Sequence, residues 1–334
     1  MEKIMMDHFL NPVTYAVWSK DEDIRYNSTS GGAFSEFAEV ILLQGGCVVG
    51  AKYNQSNLAE HTIIYTKDRI NEIRQSKYMS SIMKNVYKEV KNELEVGKLV
   101  GFCGSPCQIA GLYSFLGKNY ENLITMDFIC RGMNSPKAFR SWLDEIERKE
   151  NKEVNKVWFK YKDGGWKSSP RRTRLDFKDG SYKVYEGKKN LYMNGYLTSN
   201  LYIRPCCGSC VFKDVPRQGD ITLADFWGIE KELDDDKGIS LILINSKKGG
   251  KLFEEAKTNF NYYERNFNEI FNGNPMLTTS VQISAKAHNF LQDLDNMPFT
   301  DALKKYGGYS MGTSLWFKAV KKLIYQLYTN IISE

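Results

Sequence analysis

The sequence predicts an α/β fold, a parallel or mixed sheet with crossover helices, followed by an α+β C-terminal part. Two observations carry this. Short apolar runs alternate with segments of helical periodicity as far as residue 150, and from about residue 154 strand-like runs follow one another directly before a helical last third. A soft boundary near 150 therefore divides the chain into 1–150 and 151–334, with no repeat or low-complexity linker to mark it. The length of 334 residues, 42% hydrophobic and 26% charged, is enough to bury a core without disulfide staples.

In chain order, residues 27–33 (Asn-Ser-Thr-Ser-Gly-Gly-Ala) form a polar, glycine-rich turn. Phe34, Phe37, Ala38, Ile41 and Leu42 then recur at helical spacing until Gly45-Gly46 stops them. Residues 47–51 and 61–65 read as strands and 81–96 as a surface helix ending at Gly97. The strand 98–102 runs into the tight segment Cys103-Gly104-Ser105-Pro106-Cys107, ahead of a helix over 108–116. Residues 122–129 form the next strand, ending at Cys130. Ser135-Pro136 opens a helix as cap and first residue. Beyond it, 157–161, 173–177 and 182–185 are strands, the last two joined at Asp179-Gly180. Strands over 220–226 and 239–245 and a helix over 248–257 follow. Near the C-terminus, Trp316, Val320, Leu323, Ile324, Leu327 and Ile331 fall at helical spacing beside Lys318, Lys321 and Lys322. That helix would suit its own domain, a partner or a membrane surface.

Composition narrows the classes. The 46 Lys+Arg against 40 Asp+Glu leave a modest +6, and the cations are dispersed, which argues against a nucleic-acid partner. No apolar run approaches the roughly 18 residues of a membrane span, and the first residues lack the apolar stretch of a secretory signal. A cytoplasmic location with reduced thiols is expected. The seven cysteines are then ligands, reactive groups or buried apolar residues. The three histidines, His8, His61 and His288, are far apart, which weakens triad hydrolases and His-rich zinc sites.

Cys207-Gly208-Ser209-Cys210 is a CxxC in a loop, with Cys206 beside it. Two thiolates at that spacing can face one ion or cluster, or form a redox disulfide. A metal needs two further ligands. Cys107 and Cys130 are candidates, because each lies just past a predicted parallel strand, at the edge where ligands of open α/β sheets gather. Zinc, an iron–sulfur cluster and plain buried thiols all remain open on spacing. The turn 28–32 and the segment 104–107 could offer backbone N–H groups to a phosphate, although neither matches a P-loop or a GxGxxG fingerprint. Lys77-Tyr78 pairs a cation with an aromatic ring that could face a cofactor or simply end a solvated helix. Asp225 could meet a cofactor hydroxyl or sit in a buried aromatic turn.

Taken together, several segments resemble the beta-subunit family of the coenzyme F420 hydrogenases and dehydrogenases. They are Asn27 to Phe34, Gln75-Ser76-Lys77-Tyr78, Gly104 to Gly111, Asp127-Phe128-Ile129-Cys130, Arg204 to Cys210 and Asp220 to Gly228, in family order over about residues 15–260. The resemblance implies an oxidoreductase with FAD and one [4Fe-4S] cluster. It would exchange hydride or electrons with a deazaflavin such as coenzyme F420 and pass electrons to a carrier, ferredoxin or another subunit. On the family pattern Cys107, Cys130, Cys207 and Cys210 correspond to cluster ligands. Ser30, Gly31, Gly32, Ser76, Lys77 and Tyr78 correspond to the flavin side, with Ser105 and Asp225 as further cofactor contacts. Region 1–150 would then be the flavin and phosphate side, and 151–334 would carry the CxxC loop. No catalytic residue is assigned.

The sequence departs from the pattern at three points. Only a short polar leader precedes Tyr15, where many relatives carry a ferredoxin module. Arg131 follows Cys130 where relatives often have His. Cys103 and Cys206 add thiols, so either Cys206 or Cys207 could be the ligand. The competing readings are an accessory or transferase protein of surface-polysaccharide biosynthesis without redox cofactors, and a structural zinc-binding module. Lys213 and the C-terminal lysines are expected to offer docking charge to an acidic carrier.

Overall fold

A computed structural model describes residues 8–307 of the protein. The amphipathic C-terminal stretch lies outside the described residues. An eight-stranded mixed sheet organises the chain. Its strands are β1 (Val13–Ser19), β2 (Cys47–Tyr53), β3 (Ala59–Ile64), β4 (Val100–Cys103), β5 (Leu123–Phe128), β9 (Ile221–Asp225), β10 (Ser240–Ile244) and β11 (Phe260–Arg265), in the spatial order β11-β1-β10-β9-β5-β4-β2-β3. The central strands β2, β4, β5 and β9 run parallel. Antiparallel pairs flank them on both sides. A second, three-stranded antiparallel sheet is made of β6 (Val154–Phe159), β7 (Arg172–Phe177) and β8 (Tyr182–Glu186).

The apolar central strands are buried on both faces, as parallel strands under crossover helices must be. Alternation along β2 shows the division. Val48 joins the helices Ala33–Leu43 and Lys247–Ala256 on one face. Cys47 and Val49 join Val86–Glu95 and Pro106–Leu116 on the other. A third core holds the helix Pro136–Glu150 against the small sheet and the segment around Tyr192 and Tyr202.

The fold class read from the sequence is the one found. The eight-stranded sheet takes strands from both sides of residue 150, because β5 and β9 are neighbours although some ninety residues separate them. Between them the chain makes a long excursion through the small sheet and the CxxC loop. Two elements differ from the sequence reading. The helix expected over 81–96 is Val86–Glu95, since Ile82 instead bridges to Glu60 beside β3. The helical last third is interrupted by β11, whose half-exposed edge position gives it only a weak apolar signal; its Tyr263 stacks on Trp18 of β1 at 5.5 Å.

A buried polar network returns the excursion to the sheet. Arg217, 2% exposed, donates from Nη2 to Asp127 Oδ1 at 3.2 Å and to the Phe128 carbonyl at 3.2 Å, and from Nε to Thr222 Oγ1 at 3.2 Å. Gly219 N–H donates to Asp127 Oδ2 at 3.1 Å. Asp220 accepts from Thr125 N and Oγ1, both at 2.8 Å, and from Ser246 Oγ at 2.6 Å, and its Oδ1 lies 3.5 Å from His8 Nε2. Removing one member of a buried ion pair strands the other. Arg217→Ala should therefore cost about 3–5 kcal/mol in urea unfolding. Adding Asp127→Asn should recover part of that loss.

Candidate functional site

Parallel strands leave their C-terminal ends on one edge, and side chains there face a crevice instead of a continuing ladder. A cavity of about 460 Å³ opens at this edge. Its walls include Ala51 of β2, Cys103 and Gly104 at the end of β4, Phe128 to Cys130 at the end of β5, and Asp225 and Trp227 at the end of β9. The turn 28–35 and the segment 74–79 close one side, and Arg131, Tyr196 and Lys160 line another. The first two are tied together: Ser76 N–H donates to Thr29 Oγ1 at 2.8 Å, and Gln75 Nε2 to the Asn27 carbonyl at 2.9 Å.

The glycine turn divides its work. Gly31 packs inward: an added Cβ would lie 2.4 Å from the Val17 carbonyl and 2.7 Å from Ser240 N, so only glycine fits between β1 and β10. Its N–H donates to Ser240 Oγ at 2.9 Å, and Ser30 Oγ donates to the Ile239 carbonyl at 2.6 Å. Gly32 has φ +99° and starts the helix Ala33–Leu43 without a side-chain cap. Ser35 and Glu36 N–H bond back to the Gly32 carbonyl, which leaves the Ala33 and Phe34 N–H groups at the cavity wall.

Cationic side chains around this edge bond to main-chain carbonyls. Lys77 Nζ donates to the Arg74 and Gln75 carbonyls at 2.7 and 3.2 Å, and burial pushes its pKa down to about 7, helped by Lys156. Lys162 Nζ donates to the Arg25 and Ser30 carbonyls at 2.5 Å each and is also pushed down to about 7, by burial and by Arg25 and Lys160. Arg131 holds the Tyr196 and Leu197 carbonyls at 3.0 and 3.2 Å. Lys160 is the exception. It is almost fully buried, has φ +56°, and pairs with the Asp225 carboxylate beneath Trp227, whose ring stacks on Trp166 at 4.2 Å.

The thiols gather at the same edge. Cys107 is the second residue of the helix Pro106–Leu116, which begins two residues earlier than the sequence suggests, and its Sγ lies 3.2 Å from Ser105 Oγ. Cys130 lines the cavity. Burial pushes its pKa up to about 12, opposed by Lys213 and reinforced by Cys207 and Cys107. Cys207 accepts from Met133 N–H at 3.5 Å and packs over Gly132, where an added Cβ would lie 3.4 Å from its own Cβ. Burial raises the Cys207 thiol, and Cys206, Cys107 and Cys210 add to the effect. Cys107 and Cys207 thus act on the Cys130 thiol, and Cys206, Cys107 and Cys210 on that of Cys207. No three His, Cys, Asp or Glu side chains among the described residues stand arranged to hold a metal ion.

Comparison with known proteins decides the family. The sequence model for the C terminus of the coenzyme F420 hydrogenase/dehydrogenase beta subunit matches residues 97–269, and the model for the N-terminal part of the same protein matches residues 14–88. This chain belongs to the coenzyme F420 hydrogenase/dehydrogenase beta-subunit family. Its fold is similar to that of a chain in the xenon-derivatised F420-reducing [NiFe] hydrogenase complex from Methanosarcina barkeri. The TM-score is 0.52 and the identity 16%, covering 92% of this chain and 97% of that one. No curated protein sequence matches. No described helix is long and apolar enough to cross a membrane.

In this member of the F420 beta-subunit family, Ser30, Gly32, Ser76, Lys77, Tyr78 and Asp225 line one cavity. Two sequence-expected contacts stand back from it. Gly31 packs against β1, and Ser105 caps the Cys107 helix by donating from N and Oγ to Gln108 Oε1, both at 2.9 Å. The Asp225 carboxylate is engaged by Lys160. Lys213, expected as docking charge, instead donates to the Cys130 and Met276 carbonyls and braces the thiol loop from within.

Several cavity residues carry no sequence signal for this role: Arg74, Tyr196, Lys160 and His61. His61 is held by Ser81 at Nδ1, 2.8 Å, and by the Cys103 carbonyl at Nε2, 3.1 Å, and burial pushes its pKa down to about 4. It is therefore a neutral wall residue at pH 7. Only the pairing of β3 with β2, which sets His61 across β2 from the end of β4, brings it there.

A lysine with a depressed folded pKa binds fewer protons folded than unfolded. Stability should then rise with pH between about 7 and the ordinary lysine value of 10.5. Lys77 and Lys162 both contribute to this rise. Lys77→Met should lower its slope by at most one proton's worth, about 1.4 kcal/mol per pH unit, measured by urea unfolding across that window.

Proposed function

We propose that this chain is a flavin- and iron–sulfur-dependent oxidoreductase subunit. FAD would occupy the cavity, and Cys107, Cys130, Cys207 and Cys210 would hold one [4Fe-4S] cluster. Coenzyme F420 or a similar deazaflavin would be the hydride partner, and ferredoxin or another subunit the electron carrier. One observation carries this reading: the segment 128–133 is at once a wall of the cavity and the neighbour of the CxxC loop. Whatever binds in the cavity lies against Cys130, the one of the four that lines it.

By residue type the lining suits both groups, although the described thiols are not drawn together as a metal site. For the cluster, the donor set is all thiol, from the residue type that iron–sulfur centres take, with no carboxylate among the four. For the flavin, the cavity joins an apolar interior to uncapped helix N–H groups and to Lys77, which suits a ligand with a flat ring and a phosphate. When bound, a flavin accepts two electrons as hydride and a cluster takes them singly.

The chain supplies the rest. Ala33 and Phe34 N–H groups and the Lys77 ammonium would hold negative charge, and burial leaves Lys77 able to take up a proton near pH 7 when an anion arrives. Trp227, Tyr78 and Tyr196 exclude water from the interior wall. Lys213 donates to the Cys130 carbonyl and Arg131, the next residue, to those of Tyr196 and Leu197, so the thiol segment is held before any ligand binds.

The test is an anaerobic preparation with iron, sulfide and FAD supplied. One equivalent of FAD and a cluster that bleaches on reduction are expected. Cys130→Ser and Cys207→Ser should each lose iron while the chain stays folded by circular dichroism. A colourless protein that takes up zinc in proportion to its thiols, and no flavin, would overturn the reading in favour of a structural zinc module.

A further inference from the structure

A second cleft, of about 780 Å³, lies on the small sheet. Its charged lining residues are Lys167, Arg171, Arg172, Lys188, Lys189 and Glu186, five cations against one carboxylate. That concentration is unusual in a chain whose charges are otherwise mixed and dispersed. The cleft is also built on fixed elements. Arg172 opens β7 and Glu186 closes β8, and the two are joined by bonds of 3.0 and 2.7 Å. Lys167 is held to Asp234 at 2.8 Å. Those two pairings use Glu186, the one carboxylate that lines the cleft, and Asp234 beside Lys167, so Arg171 and Lys189 add positive charge to a lining with no other acid. Both are exposed, Arg171 at the end of the turn Trp166–Arg171 and Lys189 at the end of Gly187–Lys189.

The cleft is not isolated from the cavity. Pro170 lines both, and Trp166 of the same turn stacks on Trp227 in the cavity wall. We infer that this cleft binds an oligoanion, a group with two or more closely spaced phosphates or carboxylates, across Pro170 from the main cavity. Guanidinium forks and ammonium groups around one small volume suit several anionic oxygens at once. A docked protein would need roughly 800 Å² of surface on each side, and the charge here is confined to one compact cleft. The inference stands on these side chains alone and does not depend on the redox reading.

Tripolyphosphate and, in parallel, citrate are titrated into the purified chain by calorimetry at low salt and then at rising salt. Saturable binding of either, weakening as salt screens it, is expected, and the stronger probe tells phosphate from carboxylate. R171E/K189E should weaken that binding by about tenfold or more with an unchanged melting temperature. If the reversal variant fails to fold, the neutral R171Q/K189Q pair decides by the same readout. Absence of saturable binding by both probes, or equal binding by the variants and the wild type, overturns the inference. So does a ferredoxin that binds in a manner dependent on Arg171 and Lys189 while neither small anion does, since the cleft would then be a protein-docking surface.

Discussion

The buried pairing of Arg217 with Asp127 is the constraint on which the sheet edge depends. A charge taken out of water costs several kcal/mol unless a partner meets it with good geometry. Asp127 is on β5 and Arg217 comes after the long excursion, so their pairing brings the returning chain back beside the strand it left. Asp220 repeats the device on Thr125. The CxxC loop lies just ahead of both fixed points, and the Cys130 segment just beyond β5. The two thiol-bearing stretches therefore meet because a charge pair closes the loop between them.

A second pattern follows from how the cations are used. Lys77, Lys162, Lys213 and Arg131 all donate to main-chain carbonyls. A carbonyl orients a cation without cancelling its charge, whereas a carboxylate does both. Burial then lowers the pKa of the three lysines, so each is sensitive to an anion placed near it. Lys160 is treated differently: its charge is spent on Asp225, and the pair forms a rigid base under the stacked indoles of Trp166 and Trp227. The edge is thus rigid through hydrogen bonds, with Lys77 and Arg131 at the cavity wall and no carboxylate bonded to either.

Local pattern accounts for what sequence reading can reach. The strands of the parallel centre are legible because they are apolar on both faces. The hairpin at Asp179-Gly180 is legible because the turn needs a residue at positive φ, and Gly180 has φ +85°. The thiols can be named because two form a CxxC and two lie just past strand ends. Arg74, Lys160 and His61 cannot, since a single cation or imidazole in a strand or turn looks the same whether it faces solvent or a cavity. β11 escapes the sequence reading because an edge strand exposes one side and loses the apolar run that marks a central one.

The sequence by itself determined the α/β class, the order of the central elements and the cysteine positions, all of which depend on neighbours within a few residues. Tertiary structure decided which glycine serves packing: Gly31 meets a carbonyl from β1, a contact no local pattern encodes. It also turned Lys213 from a surface charge into a brace for Cys130, and joined the turn 28–35, the segment 74–79 and the end of β9 around one cavity. The physical reason is that periodicity records which side of an element is buried, whereas pairing between distant strands and buried charges sets what it is buried against.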